Sequence, residues 1–471
     1  MLRAHDASAV RAAEELAART SSWDDLMQQA AAALADVLLA ELPPGRTPVV
    51  LVGPGNNGGD ALFAAARLRE RGLPINVCLL EPDRAHARGL AAARAAGVGE
   101  VDEPHGHAVV VDGVLGIGAR PGLTGRAAAW AEWQAKAGPF TVAVDVPSGI
   151  GVDDGTAPGP HLVADRTVTF GTYKPGLLLG PAAAAAGTVT LAPIGLGPHL
   201  GDPVVEAITT HDRDVLAPAV PHGHAHKYTR GVLGIRAGSA GYPGAAHLAV
   251  AGGQSGPAGY LRFVGHPDVA QQVVLRAPEV VAGRGRVQAW VVGPGGGDDT
   301  DVHVAEARAD ELPTVLDATA LQHLPDRLRA HDVMTPHAGE LATLLDVDRE
   351  VVEADPWGHA RRAADHWGAT VLLKGHRTLV VTPGRPTRVN LSGTAWLGTA
   401  GSGDVLSGFV GALLASGLDP LDAASVGAFL HGAAGVHANP GGPVTATAVA
   451  AALPGVVADF LAGRLSGERN W

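Results

Sequence analysis

Near the C-terminus, Gly398-Thr399-Ala400-Gly401-Ser402-Gly403-Asp404 runs directly into the apolar stretch Val405-Leu406-Ser407-Gly408-Phe409-Val410-Gly411-Ala412-Leu413-Leu414. Small residues let the backbone turn so that several N–H groups converge at a helix start, where the macrodipole favours an anion. An aspartate beside such a cradle suits phosphate handling with an adjacent general base. Standing alone, the same residues would serve as a glycine-rich helix cap.

A second reactive group lies in the first half. Gly53-Pro54-Gly55-Asn56-Asn57-Gly58 satisfies G-x-G-x-x-G after a strand, and Glu81 closes the next strand about where a ribose-binding acid would lie, so an NAD-dependent oxidoreductase is one reading. Two features oppose it. Asn56 and Asn57 put polar amides inside the turn, and Asp60 places a carboxylate in the first helical turn, where it would repel a pyrophosphate. Two more acids end later strands: Asp112, in Asp112-Gly113-Val114-Leu115-Gly116-Ile117-Gly118, and Asp145, in Asp145-Val146-Pro147-Ser148-Gly149. Amide, carboxylate and hydroxyl oxygens from Asn57, Asp112 and Ser148 suit a hard cation, although each residue singly is an ordinary cap or turn former.

Positioning these groups requires alternating strands and helices. The spacing predicts helices over 7–19 and from Ser22, where Ser21 or Ser22 can cap and Asp24 and Asp25 fall in the first turn. Strands are predicted over 48–52, 75–80, 109–112, 141–145 and 167–170, with helices over 60–71 and 127–137. Such alternation implies a parallel sheet covered on both faces, with its site at the carboxyl ends of the strands. Residues 196–230 break the pattern with Pro198, Pro203, Pro218 and Pro221, placing a domain boundary near 215. Beyond it, strands over 232–235, 289–292, 315–317 and 371–374, the loop 238–244 and a helix from Ala245 make a second α/β unit. The expected organisation is α/β in two domains, 1–215 and 216–471. Between them, His222-Gly223-His224-Ala225-His226 lacks the carboxylate or cysteine that would complete a metal set and reads as a solvated linker.

Composition sets the outer limits. At 471 residues the chain exceeds what one core usually organises. Its 46% hydrophobic but 4% aromatic content calls for a core of Ala, Val and Leu, which suits α/β layers better than a β-sandwich. A formal net charge of −12 argues against nucleic acid or an anionic membrane as the main partner. Cys78 is the only cysteine, so an intramolecular disulfide is excluded and a reducing compartment is expected. Arg3, Asp6, Arg11, Glu14, Glu15 and Arg19 leave no room for a signal-peptide core, and no apolar run of about 18 residues suggests a membrane span. A soluble cytoplasmic protein is the expectation.

In their order along the chain these motifs resemble two linked families. Asn56-Asn57-Gly58-Gly59-Asp60, Asp145-Val146-Pro147-Ser148-Gly149 and Lys174-Pro175-Gly176-Leu177 look like the signature of the NAD(P)H-hydrate epimerases. The second half resembles the ADP/ATP-dependent NAD(P)H-hydrate dehydratases, through His226-Lys227, Gly293-Pro294-Gly295-Gly296-Gly297, Thr335-Pro336-His337-Ala338-Gly339-Glu340, Lys374-Gly375-His376-Arg377-Thr378 and the loop 398–404. The resemblance implies an N-terminal Rossmann-like three-layer sandwich and a C-terminal ribokinase-like α/β domain. It implies repair of hydrated nicotinamide cofactors, NADHX and NADPHX, by epimerisation in the first domain and nucleotide-driven dehydration in the second.

The same resemblance supplies site residues. The hydrate would bind along Asn56, Asn57, Gly58, Gly59 and Asp60 and along Gly116, Gly118 and Gly122, with Asp145 at the nicotinamide as the acid/base candidate and K⁺ held by Asn57, Asp112 and Ser148. In the second domain Asp404 would take the hydroxyl proton. ADP or ATP, with Mg²⁺, would lie on Lys374, Gly375, His376, Arg377, Thr378 and Gly403, and the hydrate on Ala245, Gly297, His337 and Asp404. A homo-oligomer is expected, with the Ala-rich helix over 24–42 a candidate to pack between subunits. The alternative is a ribokinase-like kinase of a vitamin alcohol with a non-catalytic N-terminal binding domain. Three departures bear on detail: Ala61 stands where epimerases commonly have glycine and could narrow the approach to the phosphates, Thr319 replaces an acid often seen in dehydratases, and Arg236-Ala237 interrupt the usual small, apolar end of the strand.

Overall fold

The computed structural model describes residues 1–43 and 45–465. The chain divides into two compact units, residues 3–205 and residues 206–465 together with Met1 and Leu2.

In the first unit, β1 (Val49–Val52), β2 (Asn76–Leu79), β3 (Gly99–Glu100), β4 (Val109–Gly113), β5 (Phe140–Val144), β6 (Arg166–Phe170) and β7 (Thr188–Ala192) form a seven-stranded sheet in the order β3-β2-β1-β4-β5-β6-β7. Every pair is parallel. The strand period of two explains why β1 is apolar throughout. Val50 and Val52 enter a core shared with the helices Trp23–Glu41 and Asn56–Glu70, whereas Val49 and Leu51 meet Ala127, Trp130 and Ala131 of the helix Gly125–Ala137. The sheet is therefore covered on both faces. The order in which strands are added reverses between β1 and β4, and that switch point is where a crevice opens at the strand ends.

Two expectations change here. The helix predicted over 60–71 begins at Asn56, because Gly55 takes φ 91° and turns the chain straight into it, so Asn56, Asn57, Gly58 and Gly59 form its first turn. The helix Trp23–Glu41 starts as predicted, with a Ser22/Asp25 capping box, but Leu26, Ala30, Leu34 and Leu38 are buried within its own unit. Its main apolar face is thus used inside the unit, with Trp23 and Leu39 left exposed on the same helix.

In the second unit, β8 (Val232–Arg236), β9 (Tyr260–Phe263), β10 (Val281–Ala282), β11 (Ala289–Val292), β12 (Thr314–Leu316), β13 (Val333–Met334), β14 (Thr370–Leu373), β15 (Thr378–Val381) and β16 (Thr387–Asn390) lie in the order β16-β15-β14-β13-β12-β11-β8-β9-β10. Here the switch point falls between β8 and β11. The pairs from β10 to β14 are parallel, but β14, β15 and β16 pair antiparallel, which corrects the wholly parallel expectation. The turn from Lys374 to Arg377 is too short for a parallel crossover.

The proline-bearing segment before β8 is not all linker. Ile208, Leu216 and Ala219 are buried in the second core, so the division falls at Val205/Glu206, ahead of the boundary expected near 215. His222, His224 and His226 are exposed. Among the described residues no helix is long and apolar enough to cross a membrane.

Two helices at the second switch point touch backbone to backbone. A Cβ on Gly408 of Ser402–Ala415 would lie 1.9 Å from the Ala249 carbonyl oxygen of Pro243–Gln254, and one on Gly252 would lie 2.0 Å from that of Val405. The glycines scattered through 405–415 thus let the helix bearing Asp404 and the helix bearing Ala245 lock together.

Candidate active sites

At the first switch point, β1 passes into its helix through Gly53, where a Cβ would lie 1.8 Å from the Val114 carbonyl oxygen. That close approach brings Asn57 over the loop after β4. Its Nδ2 donates to the Leu115 carbonyl oxygen at 3.1 Å, and the Ser148 hydroxyl reaches the same oxygen at 3.3 Å. Asp112 is fully buried beneath them. Its Oδ2 accepts from the Ser148 amide at 2.7 Å, and its Oδ1 accepts from the Ser148 hydroxyl at 2.6 Å. Burial pushes the Asp112 carboxyl up to about 6, against the pull of those Ser148 donors. Asn57, Asp112 and Ser148 are therefore brought together around the Leu115 carbonyl, and this oxygen-rich set fits a hard monovalent cation.

Gly116 lies against Asn57, 3.2 Å from its Cβ if a Cβ were added, and Gly118 lies near Arg11. Gly122 donates its amide to the Gly149 carbonyl at 2.8 Å. Gly58 and Gly59 serve packing. Cβ atoms there would fall 2.2 Å from the Gly53 carbonyl oxygen and 2.9 Å from the His86 ring. The Ala61 methyl faces Gly113, inside the unit, so it does not obstruct the helix start.

Asp145, at the end of β5, sits in the left-handed region with φ 65°, an uncommon conformation for a non-glycine residue. What holds it is a set of donors. Oδ1 accepts from the Thr169 hydroxyl and the Phe170 amide, each at 3.1 Å, and from the ammonium of buried Lys174. That ammonium also donates to the Thr169 hydroxyl at 3.0 Å and the Phe170 carbonyl at 2.9 Å. Asp60 shares the neighbourhood without a hydrogen bond or ion pair to any described residue. Burial raises its carboxyl well above the usual range; Asp145 and Glu14 raise it further, and Lys174 only partly opposes them. Glu14, on the helix Ala7–Ala17, is raised by burial and by Asp145. Sequence reasoning missed Glu14, and it quoted Lys174 only as part of a motif.

At the second switch point Gly401 takes φ 85° as the N-cap of Ser402–Ala415, and Asp404 lies in the first turn. The first intrahelical bond is Val405 N–H to the Gly401 carbonyl at 3.2 Å. The Ser402 amide donates to the Thr399 carbonyl at 3.3 Å, and the amides of Gly403 and Asp404 precede the helical ladder, as an anion cradle requires. Asp404 has no hydrogen-bond or ion-pair partner among the described residues. Burial and then Asp317 push its carboxyl up to about 7, with Lys374 opposing. Lys374 Nζ sits 2.8 Å from Asp317 Oδ1 and 3.8 Å from Glu340. Burial works against the ammonium, but Asp317, Glu340 and Asp404 outweigh it and raise its affinity for the proton. A Cβ on Gly403 would lie 3.5 Å from the same Nζ.

His337 caps the helix Ala338–Leu345, its Nδ1 accepting the Glu340 amide at 3.1 Å while Glu340 accepts the His337 amide at 2.8 Å. The ring is exposed, with its Nε2 3.6 Å from the Glu340 carboxylate. Ala245 lies in the first turn of Pro243–Gln254, which follows β8, and Gly297 lies in the loop after β11. A Cβ on Gly295 would meet that of Ala245 at 2.5 Å, and Leu248, one turn further on, would meet one on Gly401 at 2.2 Å. In the hairpin turn Gly375 and His376 are exposed and Thr378 bonds back to Gly375 at 3.3 Å. Arg377 has no hydrogen bond or ion pair to a described residue, and burial lowers its affinity for the proton.

Two departures resolve. Thr319 donates to the Gly296 carbonyl at 3.4 Å and so steadies the glycine-rich loop. The Arg236 side chain is buried, stacked over Trp290 and paired with Glu306 at 2.7 Å. Asp317 is the residue that sequence reasoning left out of the site; its signal was an acid ending a strand, as at Asp112 and Asp145.

Two family models match the chain: residues 23–176 match the YjeF-related protein N-terminus, and residues 233–454 match NAD(P)H-hydrate dehydratase. A bifunctional NAD(P)H-hydrate repair enzyme of Mycobacterium leprae is 42% identical over 463 residues, covering 93% of this chain and 95% of its own. One from Corynebacterium glutamicum is 34% identical, covering 83% of each. Among solved structures, the ADP/ATP-dependent NAD(P)H-hydrate dehydratase of Bacillus subtilis, co-crystallised with ATP and Mg²⁺, is 25% identical over 51% of this chain and 94% of its own, with a TM-score of 0.48. On the identity and coverage of its full-length relatives, this chain belongs to the family of bifunctional NAD(P)H-hydrate repair enzymes.

Proposed function

We propose that the first unit interconverts the R- and S-forms of hydrated NADH and NADPH, and that the second returns the S-form to the intact cofactor at the expense of ADP or ATP. The observation that carries this reading is Asp404: a partnerless carboxylate with a raised proton affinity, in the first turn of a helix whose leading amides suit a phosphoryl group.

Hydration leaves one ring carbon bearing both a hydroxyl and the ring nitrogen, an aminal-like centre. Hydroxide is a poor leaving group, so phosphorylation comes first. Asp404 takes the hydroxyl proton, the oxygen attacks the terminal phosphorus and the shortened nucleotide departs, with the free amides of the loop 398–404 at the helix start holding the phosphoryl charge. Phosphate then leaves as the nitrogen lone pair enters the ring, and loss of a proton from the adjacent carbon restores the double bond. The turn from Lys374 to Thr378 and Gly403 would border the nucleotide, with Mg²⁺ on its phosphates, and Ala245, Gly297 and His337 would border the hydrate.

In the first unit inversion proceeds by reversible loss of the hydroxyl, which needs a proton carrier and no redox partner. The residues of 56–60, with Gly116, Gly118 and Gly122, line the hydrate. A K⁺ on Asn57, Asp112 and Ser148 would add fixed positive charge beside the loop that carries Gly116. The lysine-bound Asp145 suits a fixed charge at the nicotinamide better than the acid/base role first expected of it, and the proton transfer is assigned to Asp60. Homo-oligomerisation and a cytoplasmic location belong to the same proposal, tested by sedimentation and cell fractionation.

The deciding assay mixes both hydrate epimers with ADP or ATP and follows the return of reduced-nicotinamide absorbance. Complete recovery requires both activities, half recovery means only dehydration operates, and no recovery sinks the reading.

A further inference from the structure

The motif that places the nucleotide on the turn from Lys374 to Thr378 invites an obvious role for the Lys374 ammonium, namely contact with a phosphate. The geometry points to a different one: Lys374 is a positioning residue, clamped by Asp317 and through it by Ser407 to the helix that carries Asp404, so that its ammonium acts on the base rather than on the nucleotide. This inference rests on the dehydration reading above.

Three contacts build the clamp. Lys374 Nζ donates to Asp317 Oδ1 at 2.8 Å, and the other carboxylate oxygen, Oδ2, accepts the Ser407 hydroxyl at 2.6 Å. Ser407 and Asp404 stand three residues apart on one helix, so they share a face. Asp317, at the end of β12, is nearly inaccessible and its carboxyl is held low: burial alone would raise it, but Lys374 and the two hydroxyls of Ser407 and Thr335 prevail. The buried Asp317 carboxylate thus holds the ammonium at 2.8 Å, on the side of the Ser407 hydroxyl and the helix of Asp404.

The groups that face Asp404 are few. Asp317 comes from β12 and Lys374 from the turn after β14. Glu340 lies 3.8 Å from Lys374 on Ala338–Leu345, and His337 lies 3.6 Å from Glu340. Behind the helix start, His431 of Pro420–Ala438 sits 3.4 Å from the Ser402 hydroxyl, and burial pushes its ring down to about 4, so it carries no charge at neutral pH. Of these, Asp317 and Lys374 act on Asp404 directly and with opposite signs.

That opposition makes the test. The pH dependence of kcat for nucleotide-driven dehydration is measured on the full chain, with folding checked by circular dichroism. Lys374→Met removes the charge that favours ionised Asp404 and should move the midpoint up by about one pH unit; Asp317→Asn removes a like charge and should move it down by a similar amount. KM for ADP or ATP should change by less than about threefold in both, and Lys374→Arg should restore the midpoint. Shifts of equal sign, no shift, or a rise in nucleotide KM of about tenfold at an unmoved midpoint would overturn the inference. If Lys374→Met does not fold, Asp317→Asn decides by itself, since an unmoved midpoint there is equally fatal. A wild-type chain without nucleotide-driven dehydration would instead refute the functional reading.

Discussion

Lys174 with Asp145 and Lys374 with Asp317 are the same device in the two units: an ammonium bound to an aspartate at the carboxyl end of a parallel strand, beside a partnerless carboxylate in the opening turns of a helix, Asp60 or Asp404. The units differ in what anchors the pair. Asp317 is tied by Ser407 to the helix of its partnerless acid. Asp145 is tied to Thr169 and Phe170, at the end of the neighbouring strand β6, and no hydrogen bond joins it to the helix of Asp60. Coupling in the second unit thus runs through a rigid clamp, whereas in the first it runs through space among Asp60, Asp145 and Glu14. A step that moves a phosphoryl group needs a base held in line. Reversible loss of a hydroxyl needs only a proton carrier in reach.

The largest effects should separate the units cleanly. Asp404→Asn is expected to lower nucleotide-driven dehydration by about 10³-fold and leave epimerisation intact, and Asp60→Asn to lower epimerisation by about 10²-fold and leave dehydration intact, both within the usual worth of a general base or acid. Following each activity on its own hydrate epimer checks this. Asp145→Asn sharpens the comparison. As a fixed charge at the nicotinamide it should raise the hydrate KM more than it lowers kcat, and an equal collapse of kcat would return the proton transfer to Asp145.

A smaller effect is thermodynamic. The folded carboxyl of Asp404 titrates near 7 against an ordinary value of 3.8, so folding favours its protonated form. Stability from this group is present in full below about pH 4, falls as the pH rises and levels off above about pH 7. Asp404→Asn should therefore stabilise the second unit at pH 8 by roughly 1–3 kcal/mol and by less at pH 5, while destroying its activity. Thermal melts of wild type and variant at the two pH values test this; a gain that does not shrink on acidification would show that Asp404 is not strained by its charge.

Much of this was legible in the sequence, for reasons that also mark where legibility stops. The Asn57, Asp112 and Ser148 set could be assembled on paper because each residue lies at or soon after the carboxyl end of a strand, and parallel topology gathers those ends in one place. The loop 398–404 was legible because consecutive small residues before an apolar run have few uses. Lys174 and Asp317 were not assigned as partners of Asp145 and Lys374, since a salt bridge across β-strands leaves no spacing rule behind. The hairpin from β14 to β16 went unseen because alternation signals strands joined by helices, and these three are joined by short turns alone. Glu14 looked like one more charge on an exposed helix, and only packing turns that helix toward Asp60.

The two helix starts offer the finest comparison. Gly55 and Gly401 are both N-caps with positive φ, 91° and 85°, so alanine at either pays the left-handed penalty of roughly 1 kcal/mol. They differ in surroundings. A Cβ on Gly55 meets nothing within 4 Å, whereas one on Gly401 would press to 2.2 Å from the Leu248 side chain, which lies one turn from Ala245. Gly55→Ala should lower the melting temperature of its unit by only about 2–4 °C. Gly401→Ala should cost more, because Leu248 must turn aside, and that motion falls on the helix bordering the proposed hydrate site. Melting each variant and measuring dehydration separates strain from crowding. Equal losses of stability with dehydration unchanged would mean that Leu248 yields freely and that backbone conformation alone selects glycine at both starts.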